Sequence, residues 1–249
     1  MLDLTLPLGF GFLLVLFRTA GLCVAAPVLS ATAVPVRIRL GVAVALSIAV
    51  FTGAGMPQVP LPSSLLGLAG ASLVETAIGL TAGLCARLLL EAAQAAGAAA
   101  GLSAGLGYGA LIDPFNGAAA SVAGQLFSIL ALGIAVAANL HGEAVAWLAR
   151  SVATHPPGQP FELLRLAQTV IATGVLACSL SIRLAMPFLA AALMAHAALG
   201  VLNRTTPTVN VTSVGFSLSL AAGGAAMYFA APAATEAAAR AAISVFSQG

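Results

Sequence analysis

The sequence is poor in charge. Only 6% of its 249 residues are Asp, Glu, Lys or Arg, and every basic residue is an arginine, so lysine is absent. A soluble globular domain carries about a quarter charged residues, because its surface faces water. Seven acidic and nine basic side chains cannot cover the surface of a chain of this length. The composition therefore excludes an ordinary soluble domain and indicates a membrane or membrane-complex protein.

The chain also has few residues that bind metals or nucleic acid. Its three cysteines lie far apart in apolar runs: Cys23, Cys85 and Cys178. An odd number without C-x-x-C spacing disfavours a disulfide framework and a zinc site. The three histidines are equally scattered, and a net charge of +2 makes no basic footprint for nucleic acid. We therefore expect no metal, no cofactor and no nucleic-acid partner.

The sequence does contain long apolar tracts, since hydrophobic residues make up 61% of it. About 20 apolar residues span a bilayer as a helix, in which every backbone group is paired internally. The alternation expected of strands is missing from runs such as Leu130–Ala138. The fold class predicted is an all-α, multi-helix membrane-complex protein. Its helices are predicted at about 4–26, 38–55, 63–90, 92–110, 120–148, 162–182, 184–202 and 210–231.

Three charges fall within this apolar sequence and are predicted to be buried. The predicted helix 63–90 carries Glu75 and Arg87, and Glu91 follows one turn after Arg87. Charges inside a membrane are costly and normally face protein or a water-filled cavity. Arg87 and Glu91 have the i,i+4 spacing of a helical ion pair. Two interpretations stay open: a stabilising pair inside a helical assembly, or a lumen-facing or proton-handling role.

Glycines recur at helical spacing in the middle of the chain. Four of them are separated by four residues each: Gly97, Gly101, Gly105 and Gly109. On a helix they form a groove along one face, where another backbone can approach closely. Gly79 and Gly83 repeat this spacing in the preceding segment. The pattern predicts dense helix–helix packing.

A hydrolase is one alternative, because Gly101-Leu102-Ser103-Ala104-Gly105 matches the G-x-S-x-G nucleophile elbow. Asp113 and His141 follow it in the order of a catalytic triad. The elbow requires a strand before the serine and a helix after it, and the sequence has no strand signal. The hydrolase interpretation is therefore disfavoured, and we expect no enzymatic activity.

A secondary transporter is a second alternative. Glu75, Arg87 and Pro187 would then form a site at the middle of the membrane. Transporters of this kind contain internal repeats, and no repeat is visible in the sequence. This alternative is also less favoured.

An ordered set of landmarks extends from about residue 10 to residue 231. In chain order they are Arg18-Thr19-Ala20-Gly21, Pro27, Pro35, Arg37, Glu75 to Leu80 with Gly83, Ala96-Gly97, Gly105, Asp113-Pro114 with Gly117, Ser151 with Pro156-Pro157-Gly158, Ala185-Met186-Pro187, and the run Leu199 to Val211 with Arg204, Pro207 and Asn210. Taken together, this set resembles the FliR/SctT family of type III export-gate proteins.

The resemblance implies one FliR-like export-gate domain over 1–249. A FliP-like helical portion would occupy about 1–160, and a FliQ-like helical hairpin and tail about 161–249. The implied protein crosses the bacterial inner membrane several times at the flagellar basal body, in contact with membrane lipid. It would assemble with FliP-like and FliQ-like subunits and FlhB around a pore for unfolded flagellar substrates. An injectisome (SctT-like) subunit is the nearest alternative.

The resemblance also places a plug of the closed gate in the loop around Asp113-Pro114. The side chains implied are Tyr108, Leu111, Asp113, Pro114, Phe115 and Gly117. An apolar constriction can block water and ions without chemistry. The alternative for this loop is an ordinary turn packed between helices.

Overall fold

The computed structural model describes residues 2–28, 30, 35–105, 122–205 and 211–248. Over these ranges the chain forms seven helices and no strand, which confirms the all-α fold class. The helices are α1 Leu2–Ala25, α2 Val36–Gly53, α3 Leu65–Ser103, α4 Val122–Ala137, α5 Leu140–Thr154, α6 Leu163–Thr205 and α7 Val211–Gln248.

Two pairs of predicted helices each form one continuous helix. The helices predicted at 63–90 and 92–110 are one helix, α3, and those predicted at 162–182 and 184–202 are one helix, α6. The predicted boundaries were wrong because they were drawn at charged residues, and a charged side chain on an exposed face does not interrupt the backbone hydrogen bonds.

Prolines lie inside two of the long helices, α6 and α7. Pro187 was expected near a helix start but lies inside α6, and Pro232 lies inside α7, which continues well past the predicted end at 231. An internal proline removes one backbone hydrogen bond, and neighbouring groups in apolar surroundings satisfy the freed carbonyl.

The single helix predicted at 120–148 is in fact two helices. It is divided into α4 and α5 at residues 138 and 139. Asn139 has a φ of 66°, in the left-handed region that asparagine tolerates better than most residues. This conformation cannot continue an α-helix, so the chain turns there.

The chain forms two compact units. Unit one comprises Met1–Leu88, Val136–Val175 and Ala241–Gly249, and unit two comprises Leu89–Ala135 and Leu176–Arg240. The predicted division at about residue 160 concerns likeness to other subunits rather than compactness, so it stays a prediction.

In unit one, α1 and α3 approach each other closely through glycine. A Cβ on Gly79 would overlap the carbonyl oxygen of Arg18, and one on Gly83 would lie 2.7 Å from the backbone nitrogen of Ala26. From the other side, a Cβ on Gly21 would lie 2.9 Å from the backbone nitrogen of Leu80. The two backbones are therefore in direct contact.

The end of α7 also belongs to unit one, where it packs on α5. Arg150 Nη2 donates a hydrogen bond of 2.6 Å to the carbonyl oxygen of Phe246, whose ring lies 6.2 Å from that of Trp147. Phe246, within the segment predicted to end in a tail, is thus helical and packed.

In unit two, α3, α4, α6 and α7 share an apolar core. The rings of Phe127 and Phe188 meet edge to face at 5.5 Å, and Ala100, Ala231 and Ala234 pack around them. A Cβ on Gly97 would lie 2.7 Å from Phe127 Cγ. Because Gly97 has no side chain, the Phe127 ring can pack against it.

Within the described ranges, four helices are long and apolar enough to cross a membrane. They are Leu6–Ala25 of α1, all of α2, all of α3, and Leu163–Val201 of α6. The number rises to five if α4 and α5 together form one broken span. This agrees with a membrane protein of several spans.

The contact between α1 and α3 generates a prediction about Gly79. Gly79→Ala should lower the free energy of unfolding by about 1–3 kcal/mol, because the added methyl group must push the two backbones apart. Gly70→Ala is the matched control, since Gly70 lies on the same helix with nothing within 4 Å of an added Cβ. Thermal unfolding measures both, on the protein purified in detergent together with any subunits that bind it. Equal stability of the two variants would contradict the close contact.

Candidate functional site

A fully buried ion pair joins α1 to α3. Arg18 Nε lies 2.6 Å from Glu75 Oε2, and the two side chains are only 1% and 2% exposed. Burying a charge is costly unless it is paired and its remaining polar atoms are hydrogen-bonded. The surroundings of the pair meet both conditions.

The rest of the guanidinium group of Arg18 binds the end of α5. Its Nη1 donates to the carbonyl oxygen of Ser151 at 2.9 Å and to the hydroxyl Oγ of the same residue at 3.0 Å. Its Nη2 donates to the carbonyl oxygen of His155 at 3.1 Å. The carboxyl end of a helix carries partial negative charge, so a guanidinium group is favourable there. Arg18 thus caps α5.

Glu75 holds the loop that follows α5. Its Oε1 accepts a hydrogen bond of 3.0 Å from the backbone N–H of Gly158. Gly158 has a φ of 80°, and a Cβ there would lie 2.6 Å from Val59 Cγ1. Only glycine suits this position, because other residues are strained at positive φ and would meet the Val59 side chain. The Arg18–Glu75 network, as we call it, consists of Arg18, Glu75, Ser151, His155 and Gly158.

A cavity of about 450 Å³ lies beside this network in unit one. Ser151, Thr154 and His155 line it on one side, and Trp147 and Phe161 contribute aromatic surface. The guanidinium nitrogens of Arg18 are already engaged by carboxylate, carbonyl and hydroxyl oxygens. The network therefore positions helices and does not present a free charge to a ligand.

The three charges predicted to be buried separate into two groups. Glu75 is buried and paired with Arg18, a partner that the sequence did not predict. Arg87 and Glu91 are exposed on the surface of the chain. Their side of α3 is not covered by the described helices of the chain, so their predicted burial in an assembly stays a prediction.

The predicted glycine groove is not continuous. Gly79, Gly83 and Gly97 lie at close contacts, and Gly101 is buried in α3. Gly105 was predicted inside a helix, but α3 ends at Ser103 and Gly105 has a φ of 84°. The sixth glycine of the predicted set, Gly109, lies outside the described residues.

The predicted gate residues also lie outside the described residues: Tyr108, Leu111, Asp113, Pro114, Phe115 and Gly117. The same holds for Pro207 and Asn210. Their predicted roles stay predictions.

Four further landmarks are described. Pro27 follows α1 and lines an apolar cavity, and Pro35 stands immediately before α2 with a φ of −57°. Pro187 and Arg204 are exposed on α6. Of the landmark residues, the Arg18–Glu75 network contains Arg18, Glu75, Ser151 and Gly158.

The geometry does not support a hydrolase built on Ser103. This residue is the last of α3, and its hydroxyl donates to the carbonyl oxygen of Ala100 at 2.9 Å. No strand precedes it in the described part of the chain, so the nucleophile elbow is not formed.

The geometry does not support the proposed transporter site either. Glu75 and Arg87 lie on one continuous helix, where twelve residues separate them by about 18 Å. Glu75 is engaged by Arg18 and Gly158 instead. Among the residues described, no cluster of three His, Cys, Asp or Glu side chains could hold a metal ion.

The sequence motifs included Arg18 as a landmark residue but did not indicate its partners. Arg18 and Glu75 are opposite charges in two strongly apolar helices, and this combination is the signal that could have paired them. No local pattern indicated Ser151 or the backbone of His155, because those contacts arise only from the tertiary arrangement.

Long apolar helices that meet through glycine around an internal ion pair define a polytopic α-helical membrane protein. Comparison with known proteins identifies its family: the model of the bacterial export proteins, family 1, matches residues 10–243. The chain is also 26% identical over 210 residues, 84% of each chain, to the flagellar biosynthetic protein FliR of Caulobacter vibrioides. The chain therefore belongs to family 1 of the bacterial export proteins, which confirms the family predicted from the sequence motifs.

The Arg18–Glu75 network generates a second prediction. Arg18→Leu should destabilise the protein by about 3–5 kcal/mol, because Glu75 would then be a buried charge without a partner. The double variant with Glu75→Leu should recover part of this loss, since no unpaired charge remains. Thermal unfolding in detergent measures the series, on protein purified together with any subunits that bind it.

The control for this series is Arg165→Leu, which removes one side of the exposed ion pair between Arg165 and Glu162. Exposed pairs contribute about 0–1 kcal/mol, so this variant should resemble the wild type. If Arg18→Leu is no less stable than Arg165→Leu, the network does not hold the fold together.

Proposed function

We propose that this chain is a structural, pore-forming subunit of the flagellar type III export gate. In this proposal it assembles with FliP-like and FliQ-like subunits and FlhB in the bacterial inner membrane, and unfolded flagellar substrates pass through the pore. The observation that carries the proposal is the family match over residues 10–243. The similarity to a flagellar FliR favours the flagellar system over the injectisome.

The distribution of apolar surface supports a subunit that needs partners. In the most apolar 18-residue stretch of α6 only 17% of the residues are buried within the chain, and in α2 only 22% are buried. Exposed apolar surface on this scale has to be covered by lipid or by other helices. In the proposed gate, lipid and the helices of partner subunits cover this surface. Such a structural role requires no catalysis by this chain.

The predicted plug supplies the mechanism of closure. Tyr108, Leu111 and Phe115 are bulky side chains that would fill the pore and exclude water and ions. The helix α3 ends at Ser103, and Gly105 has a positive φ. The chain therefore leaves helical geometry shortly before the predicted plug, as a plug outside a helix requires. The plug would seal the closed gate and move aside when a substrate passes.

Co-expression tests the assembly. The chain expressed alone should aggregate or be degraded, because its exposed apolar helices lack their partners. Co-expression with FliP-like and FliQ-like subunits should give one defined complex on native gels and in size-exclusion chromatography. A stable, monodisperse monomer in detergent, with no complex on co-expression, would contradict the proposed function.

Leakage tests the plug. Deletion of residues 111–117 should leave the amount of complex unchanged and make cells permeable to ions and small solutes, because a plug contributes a seal rather than stability. Conductance of the reconstituted complex and recovery on native gels are the measurements.

The control for the plug is Gly97→Leu. A side chain at this position would collide with Phe127, so the variant should lower complex recovery without a specific leak. If the deletion leaves cells tight, or lowers recovery as much as Gly97→Leu does, residues 111–117 form a packing turn and not a plug.

A further inference from the structure

The apolar cavity that Pro27 lines has a volume of about 410 Å³ and lies in unit one. It is lined by the end of α1, the first half of α2, the start of α5 and Phe246 of α7. Among its described lining residues only Cys23 and His141 have a polar or ionisable side chain, and none is an arginine or an acid. Ligand sites are typically concave, mostly apolar and about 300–1,000 Å³ in volume. The cavity therefore has the size and lining of a site for an apolar group.

The cavity extends through about half of the membrane. The apolar span of α1 ends at Ala25 and that of α2 begins at Val36, so the connection between them lies at one membrane surface. Leu46 lines the cavity ten residues after Val36, which places it about 15 Å below that surface at about 1.5 Å per residue. The hydrocarbon core is about 30 Å thick. The cavity thus has the depth of one lipid leaflet, which is the depth that an acyl chain occupies.

Two arginines lie at the surface end of the cavity. Arg37 and Arg39 are in the first turn of α2. Arg39 precedes Val42 by three residues and Leu46 by seven, so it lies on the helix face that lines the cavity. Arg37 is exposed and forms no ion pair with an acidic side chain of the described residues. This end of the cavity therefore carries positive charge at the level of the lipid headgroups.

The start of α5 adds to this positive potential. Its first backbone hydrogen bond runs from the N–H of Glu143 to the carbonyl oxygen of Asn139 at 3.1 Å, and the Asn139 side chain does not cap the helix. The N–H groups of His141 and Gly142, which line the cavity, precede this bond and carry partial positive charge. Glu143 does not line the cavity, since it lies about 200° around the helix from Val145, which does.

The cavity is too small for a helix of another protein. An α-helix with its side chains is about 10–12 Å wide, so a single turn fills roughly 400–600 Å³. That is the whole volume of the cavity. An acyl chain is much narrower, and in a phospholipid it is attached to the anionic group that the arginines favour.

We propose that this cavity holds one acyl chain of an anionic phospholipid whose phosphate group is bound by Arg37 and Arg39. Basic pockets between membrane helices bind anionic lipid headgroups, and a guanidinium group can donate two parallel hydrogen bonds to a phosphate. The inference goes beyond the proposed function and does not depend on it, because the site is built within unit one of this chain.

A photoreactive lipid tests the site on the wild-type protein, purified in detergent together with any subunits that bind it. The probe is phosphatidylglycerol with a diazirine at the end of one acyl chain. Crosslinks mapped by mass spectrometry should concentrate on lining residues such as Leu46 and Val145. Unlabelled phosphatidylglycerol should compete about tenfold better than phosphatidylcholine with the same acyl chains, because two arginines favour the anionic headgroup.

Two variants with matched controls separate the acyl chain from the headgroup. Val42→Trp should fill the cavity and lower crosslinking about tenfold, whereas Val44→Trp should not, since Val44 is exposed on α2 and does not line the cavity. The double variant Arg37→Gln with Arg39→Gln should remove the preference for phosphatidylglycerol. Arg165→Gln, which removes only an exposed ion pair, should keep that preference.

The wild-type measurements decide the proposal even if a variant fails to fold. Crosslinks spread over the exposed faces of α1 and α2, without enrichment at the lining residues, overturn it. Equal competition by the two lipids overturns it as well. A photo-crosslinking amino acid at Val145 that captures only protein would show that another polypeptide fills the cavity, and this result also contradicts the proposal.

Discussion

The ion pair between Arg18 and Glu75 constrains every element around it. A guanidinium group withheld from water needs acceptors on all sides, and here they come from the carboxylate of Glu75, the end of α5 and the carbonyl oxygen of His155. The carboxylate in turn accepts from Gly158. Two charges thereby hold two helices, the end of a third and a loop in one arrangement, without contact with solvent.

The same constraint explains the spacing between Glu75 and Gly79. Four residues apart on α3, they lie on one face of the helix toward α1. The carboxylate binds the side chain of Arg18, while Gly79 leaves room for its backbone carbonyl group. A larger residue at position 79 would displace α1 and lengthen a hydrogen bond that now measures 2.6 Å. The acidic residue and the glycine are thus parts of one contact.

The sequence predicted the fold class and the family correctly, because hydrophobicity and ordered landmarks are properties of the chain itself. It placed several helix ends wrongly, because Glu91 and Arg183 were taken as boundaries although both lie inside continuous helices. It also paired no residue with Glu75, since Arg18 is 57 positions away and only the packing of α1 on α3 brings them together. Local patterns carry no information about such contacts, so the network required the structure.

Two arginines of this chain differ in how their charge is satisfied. Arg18 has all its acceptors within unit one, so the folding of this part depends on the chain alone. Arg183 has none within the described residues and lies beside exposed apolar side chains. A membrane protein that folded independently would bury or pair such a charge, because the membrane offers it no hydration. The charges of Arg18 and Glu75 are therefore satisfied inside unit one, whereas the charge of Arg183 is left to surroundings outside the described residues.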